Sequence, residues 1–287
     1  KNEDYIQHND DLIYRTTALD VQRQLSFKGR YLEIMATPDR WGLTWIPSAI
    51  IKGHQLIKKY QPDVIWSSSP IPSTHFIANK LAKKANIPWV ADYRDPFHYM
   101  NGTAGKWLDK FHKRIDQTTL NNASHITFAT SAVRDLYEQQ YQEVITKKNT
   151  VIENGYDEAN FEKLATLKNK ATPFAEQKFT LYYSGVLYAN GRDPVPVFNA
   201  ISKLKALGHI TNNNFELIFQ GAGNGEDFND LISELNIQSM VKFINPVPFL
   251  NALNNMINAD ALLLIQDKRF NKQIPGKIYE YLRTNKP

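Results

Sequence analysis

The sequence predicts an α/β protein built from parallel strand–helix–strand units in two consecutive halves. Three observations carry that reading. Short apolar runs rich in β-branched and aromatic residues alternate with helix-length amphipathic segments, and such alternation implies crossover connections rather than hairpins. The alternation occurs twice, once on each side of the turn signal Asn154-Gly155. The chain, at 287 residues, is long enough for two domains of ordinary size.

The first half begins with a stretch that carries acidic residues (Asp4, Asp10, Asp11) and then interleaves aromatics with cations: Phe27, Lys28, Arg30, Tyr31, Arg40, Trp41 and Trp45. Such interleaving suits a lipid headgroup interface or an acceptor groove, and equally a packed connector. From Pro47, the residues Ala49, Ile50, Ile57 and Tyr60 recur at helical spacing. Asp63–Ser67 reads as a strand, Ser68-Ser69-Pro70 as punctuation, and a helix follows to about Ala85. Ile87–Ala91 is the next strand, ending at Asp92-Tyr93-Arg94-Asp95-Pro96. A basic helix from about Ala104 to Leu120 has Trp107, Leu108, Phe111 and Ile115 on one side. Ile126–Ala129 is a strand, Ser131 a candidate cap for a helix over Ala132–Tyr141, and Thr150-Val151-Ile152 a last strand.

In the second half a polar linker (Glu158–Gln177) precedes the strand Phe179–Ser184, which ends at Gly185. Asp193 reads as a cap and Pro194 as the first position of a helix to about Leu207. Phe215–Phe219 is a strand closed by Gly221-Ala222-Gly223, followed by helix Glu226–Leu235, strand Val241–Ile244, helix Phe249–Ile257 and strand Ala261–Ile265. The run Gln273-Ile274-Pro275-Gly276-Lys277-Ile278-Tyr279-Glu280-Tyr281-Leu282 then opens a helix, with Pro275 suited to its first position.

Composition bounds the function. With 42% hydrophobic and 22% charged residues the chain is an ordinary globular one. The absence of cysteine excludes disulfides, thiolate nucleophiles and thiolate metal sites. The seven histidines show no ligand spacing such as H-E-x-x-H. No apolar run approaches the roughly 18 to 20 residues needed to span a bilayer, and no secretory signal pattern occurs. Residues 21–114 hold 15 basic against 6 acidic residues, a bias that suits an acidic partner: a membrane surface, a phosphorylated substrate or, more remotely, nucleic acid. Pairs such as Lys83-Lys84 and Lys147-Lys148 read better as solvated helix faces than as nucleic-acid contacts, so no nucleic-acid role is expected.

Candidate chemistry gathers at strand ends, where open parallel sheets bind ligands. Lys277 lies in a first helical turn, where the macrodipole disfavours a cation unless an anion arrives there. Glu280 shares its face, placed either to accept hydrogen bonds from two ribose hydroxyls or simply to pair with Lys277. Arg192 also sits beside a helix start, and Gly185 and Gly221 mark points where backbone can approach a ligand. Together these make a diphosphate cradle. In the first half, Arg94 lies between Asp92 and Asp95, as a functional group or as a self-satisfied ion cluster.

With these residues in place, the chain resembles the bacterial members of glycosyltransferase family 4, in particular those that assemble capsule and lipopolysaccharide sugars. The resemblance runs from about residue 38 to the end and is carried by Pro62–Pro70, Val90–Pro96, Ile152–Asp157, Tyr183-Ser184-Gly185, Arg192-Asp193-Pro194 and the Pro275–Leu282 run, in that order and spacing. It implies a retaining enzyme of two Rossmann-like domains facing across a cleft (the GT-B architecture): an acceptor-side domain over residues 1–153 and a domain that binds a nucleotide sugar over 154–287, the chain being clipped at both ends. It further implies a donor, foremost a UDP-sugar, held through Gly185, Arg192, Gly221, Gly276, Lys277, Tyr279 and Glu280. Glu280 matches the second glutamate of the family's E-x7-E motif, while Lys272 stands at the first. Arg94 and Asp95 fall where many relatives carry a histidine near the reacting carbon. The expected reaction is transfer of a hexosyl or N-acetylhexosaminyl group to an acceptor glycan or lipid-linked sugar. No metal or covalently bound cofactor is expected, and the expected location is the cytoplasm, with peripheral contact at an anionic membrane. A sugar-nucleotide epimerase of the same architecture and a two-lobed binding protein are the rival readings.

Overall fold

The structure, a computed structural model, describes residues 12–97, 106–145, 148–166, 172–188, 191–223 and 225–287. The acidic positions Asp4, Asp10 and Asp11, the expected helix start at Ala104 and Lys147 lie outside the described residues. Contacts divide the chain into two units, one from Asn9 to Glu153 and one that holds Asn154 to Pro287.

In the first unit a short helix α1 (Val21–Gln24) and a 3₁₀ turn (Glu33–Ala36) precede α2 (Gly42–Tyr60), β1 (Ile65–Ser68), α3 (Pro72–Ala85), β2 (Trp89–Tyr93), α4 (Lys106–Asn122), β3 (His125–Phe128), α5 (Ser131–Ile145) and β4 (Asn149–Val151). The strands lie side by side in the order β1-β2-β3-β4, all parallel. One aromatic-rich core holds them: Trp89, Tyr93, Phe97, Phe128 and Tyr137 are each no more than 1% exposed. Three expectations need correction here. Helix α2 begins at Gly42, five residues before Pro47, which sits inside it. The cap of α5 is Thr130 rather than Ser131, since the Thr130 hydroxyl accepts the Val133 N–H at 3.0 Å. On α4, Trp107 is exposed, and the buried stripe below Ile115 includes the polar His112 and Asp116. Asp116 is there because it accepts hydrogen bonds from the hydroxyls of Tyr93 (2.8 Å) and Tyr137 (3.2 Å).

The second unit contains α6 (Glu158–Thr166), β5 (Phe179–Ser184), α7 (Val195–Ala206), β6 (Phe215–Gln220), a 3₁₀ turn (Gly225–Phe228), α8 (Asn229–Glu234), β7 (Val241–Ile244), α9 (Phe249–Asn258), β8 (Ala261–Leu262), a 3₁₀ turn (Lys268–Phe270) and α10 (Lys277–Thr284). Its sheet runs β7-β6-β5-β8, again all parallel. Every residue of the central strand β6 is buried, as a parallel strand covered on both faces requires. Side-chain alternation splits the apolar residues between two cores: Tyr183, Leu217 and Phe219 face one, Tyr182 and Ile218 the other.

Here too the sequence reading is adjusted. The expected polar linker contains α6, whose Phe161 and Leu164 are buried against α9 and Tyr281. The helix expected over Glu226–Leu235 splits into a 3₁₀ turn and α8, and the expected strand Ala261–Ile265 pairs over only two residues. Helix α7 starts one residue later than expected: Pro194 is its N-cap and Val195 its first residue, while Asp193, just before the cap, accepts the Val195 N–H through Oδ1 at 3.0 Å. No helix among the described residues is long and apolar enough to cross a membrane.

Candidate functional site

Strand order locates the site. In the second unit the chain goes from β5 outward through β6 to β7, then returns to add β8 on the other side of β5. The carboxyl ends of β5 and β8 therefore flank the point where the winding reverses, the place where open parallel sheets bind ligands. Ser184 and Gly185 end β5 at this point, and α10 starts close by, bringing Lys277 to them.

Lys277 is held tightly. Its Nζ donates to the Ser184 carbonyl and lies 4.1 Å from the centroid of the Tyr183 ring. The Ser184 N–H donates in turn to the Tyr281 hydroxyl (3.3 Å), so the backbone N–H and carbonyl of one residue at the strand end are each held by a side chain from the same helix, the two four residues apart. Gly185 is what leaves the ammonium accessible: a Cβ there would lie 2.8 Å from Lys277 Nζ and 3.8 Å from Arg192 Nη1, and its φ of +125° is one only glycine tolerates. Arg192 reaches the same place from the loop before α7, its Nη1 donating to Val186 O at 3.2 Å and its guanidinium 5.1 Å from the Tyr188 ring centroid. Two cations thus converge under one glycine. Burial and the neighbouring Arg192 depress the Lys277 ammonium to about 7, with Glu280 opposing the shift.

Glu280 completes the cluster one turn along α10. The simple pairing is not what forms: among the described residues Glu280 makes neither an ion pair nor a hydrogen bond, because Lys277 turns to Ser184 instead. Burial raises the Glu280 carboxyl above its ordinary value, with Lys277 pulling the other way. A half-buried carboxylate with open acceptor capacity near the Lys277 ammonium can accept hydrogen bonds from the hydroxyls of a ligand. Gly276 caps α10 with open space around it: a Cβ would meet nothing within 4 Å, so internal packing gives no reason for glycine there.

Of the other sequence candidates, Gly221 ends β6 next to Gly185 with a φ of +66°. Tyr279 lies half-buried on α10 between Lys277 and Glu280. Lys272 is exposed, in the loop ahead of α10. In the first unit Arg94 and Asp95 follow the carboxyl end of β2. The expected alternative of a self-satisfied cluster does not form, because Asp92 accepts from the Ser68 hydroxyl (2.6 Å) and the Thr127 hydroxyl (2.7 Å) rather than from Arg94. Arg94 is exposed and makes no ion pair among the described residues, while Ser69 Oγ donates to the Asp95 carbonyl at 2.8 Å. Sequence reasoning missed Tyr183, Ser184 and Tyr281. The signal for Tyr281 was present in its four-residue offset from Lys277; Ser184 acts through its backbone, which no side chain announces.

Two parallel-sheet units of this kind place the chain among α/β proteins with two Rossmann-like halves. The family follows from the sequence: the profile of Glycosyltransferase Family 4 matches residues 11–160, and the chain belongs to that family. No curated protein matches the chain. Among solved structures it is similar to a glycosyltransferase from Rickettsia africae (17% identity, TM-score 0.52, covering 76% of this chain and 55% of that one). It is also similar to Anabaena HepE, solved in complex with UDP (15% identity, TM-score 0.54, covering 84% of this chain and 62% of that one). A third similar structure is a UDP-N-acetylglucosamine 2-epimerase assignment from Listeria monocytogenes (12% identity, TM-score 0.50, covering 77% and 57%). The chain therefore spans less than two thirds of the length of each of these structures.

Proposed function

We propose that this chain carries the donor-binding and part of the acceptor-side machinery of a retaining glycosyltransferase of cell-surface polysaccharide or lipopolysaccharide synthesis, using a UDP-sugar. Arg192 and Lys277 take the diphosphate, Glu280 the ribose hydroxyls, and Gly185, Gly221 and Gly276 let backbone approach the ligand. Tyr279 contributes from the same helix. The single observation that carries this reading is the meeting of Lys277 and Arg192 around Gly185 at the switch point of the second sheet, with Glu280, unpaired among the described residues, one turn along α10.

The chemistry follows from charge. The bond between the anomeric carbon and the distal phosphate oxygen breaks, its electron pair leaves with the nucleoside diphosphate, and the acceptor oxygen bonds to the carbon as it loses its proton. Negative charge on the leaving diphosphate grows through this step. Two fixed cations at that end stabilise the transition state more than the ground state. Arg94 and Asp95 are assigned the first unit's share of the chemistry, and a hexosyl or N-acetylhexosaminyl group passes to a lipid-linked sugar acceptor. The HepE complexes with UDP and UDP-glucose support the choice of donor base.

Calorimetric titration with UDP, GDP and ADP tests the reading. UDP should bind most tightly, and Lys277→Ala should weaken it about tenfold or more, as expected for loss of a charge-assisted bond; absence of any nucleoside diphosphate binding would refute the site. Since an epimerase assignment shares the fold, incubation with a UDP-sugar alone separates the two activities. The donor should come back unchanged, and its conversion to an epimer would replace transfer by epimerisation.

A further inference from the structure

We propose that the cavity between α3 and α4 in the first unit is a second small-molecule site, and that its ligand is a ring-sized organic anion with a hydrogen-bond acceptor at the end opposite its charge. The site shares no residue with the donor-binding cluster and goes beyond the sugar-transfer reading.

The starting point is His75 on α3, which is wholly buried. Its Nδ1 lies 2.8 Å from Ser67 Oγ, which also accepts the Trp89 Nε1–H at 2.7 Å. The Ser67 hydroxyl makes no other hydrogen bond among the described residues, so its own proton points to His75 Nδ1. A neutral imidazole that accepts at Nδ1 carries its proton on Nε2. Burial keeps the ring neutral by pushing its pKa down to about 3. Nε2 is therefore a donor, and among the described residues it has no acceptor. Buried donors in folded proteins are almost always paired, so an open one calls for a partner, water or ligand.

The space beside it favours a ligand. His75 lines a cavity of about 320 Å³, within the range of small-molecule pockets and far beyond what one water needs. Since Nδ1 is turned to the strand, Nε2 is the nitrogen left to face that cavity. Phe76, Phe111 and Ile115 wall it, which suits an apolar ring. Its charged lining residues are Lys80 and Arg114, both exposed, with no carboxylate beside them in the lining. Neither makes an ion pair among the described residues, and Lys80 Nζ lies 5.5 Å from the centroid of the Phe76 ring. Exposed cations and a buried neutral donor set the ligand's polarity: charge at the mouth, a neutral acceptor at the floor. A wholly apolar ligand would leave Nε2 unpaired, and a cationic one would meet two like charges.

The full chain, isotope-labelled on histidine and titrated with para-acetylbenzoate, tests this by NMR, because the carboxylate, ring and ketone of that probe follow the same order. In the free protein the His75 ring, assigned by the loss of its signals in His75→Gln, should show the Nε2–H tautomer. The probe should shift that signal saturably, with a Kd of about 1 mM or tighter. Benzoate, which lacks the acceptor, and acetophenone, which lacks the charge, should each bind about fivefold or more weakly. Lys80→Gln with Arg114→Gln should weaken para-acetylbenzoate by about fivefold or more, leaving acetophenone binding and UDP affinity at the parent values. Both of those side chains are exposed, and the ligand series can be read by saturation transfer on the ligands' own signals, so the test stands even where His75→Gln does not fold. An Nδ1–H tautomer would overturn the proposal, as would benzoate binding as tightly as para-acetylbenzoate or a double variant that keeps full affinity. The absence of any saturable shift up to about 20 mM would also overturn it, and would leave water as the partner of Nε2.

Discussion

Lys277 shows most clearly how one side chain joins fold and function. An ammonium depressed to about 7 by burial and by Arg192 is only partly protonated at neutral pH. A diphosphate arriving beside it restores the charge, so ligand binding between about pH 7 and the ordinary lysine value near 10.5 must take up a proton. The same shift has a stability sign. The unfolded chain binds this proton more readily, so the free protein should gain stability from Lys277 as pH rises through that window and lose it as pH falls through 7. Calorimetry of UDP binding at pH 8.5 in buffers of different ionisation enthalpy should therefore give different observed enthalpies, and Lys277→Ala should abolish the difference. Buffer-independent enthalpies for the parent would show that Lys277 does not meet the phosphate. That Lys277 falls in a first helical turn was legible in the sequence, because the signals of a helix start are local. Its bond to the Ser184 carbonyl, 93 positions away, was not, because only the fold brings those positions together.

Elements were legible where their signals are local and blurred where tertiary packing decides. The start of α7 was readable to within one residue, because Asp193 and Pro194 act within one turn, but backbone geometry made Pro194 rather than Asp193 the cap. Helix α6 was hidden by its polar surface: only Phe161 and Leu164 enter the core, too few for an obvious apolar stripe. Between Ser131 and Thr130 as the cap of α5, either hydroxyl would serve by residue type, and backbone geometry chose Thr130. Thr130→Ala should cost about 1 kcal/mol in chemical denaturation, whereas Ser131→Ala should change little; the reverse order would return the cap to Ser131. Strand β8 is short because the chain leaves the sheet after Leu262 toward the loop that delivers α10. An apolar run alone cannot say where pairing stops.

At the scale of the molecule, the alternation of strands and helices sufficed for parallel α/β units, but not for their strand order. Order depends on which distant strands pair. The reversal between β5 and β8 gives the second sheet a topological switch point, while the described strands of the first sheet, β1 to β4, run without one. This asymmetry is why the donor is assigned to the second unit, where Lys277 and Arg192 meet at Gly185 beside the switch point. The most direct test of the account compares UDP with 2′-deoxy-UDP by calorimetry in the parent and in Glu280→Gln. If Glu280 holds the ribose hydroxyls, the parent should prefer UDP by about tenfold or more, as for a hydrogen bond to a charged group, and Glu280→Gln should lose most of that preference. A parent that binds both nucleotides equally, or a Glu280→Gln variant that keeps the full preference, would contradict the assignment.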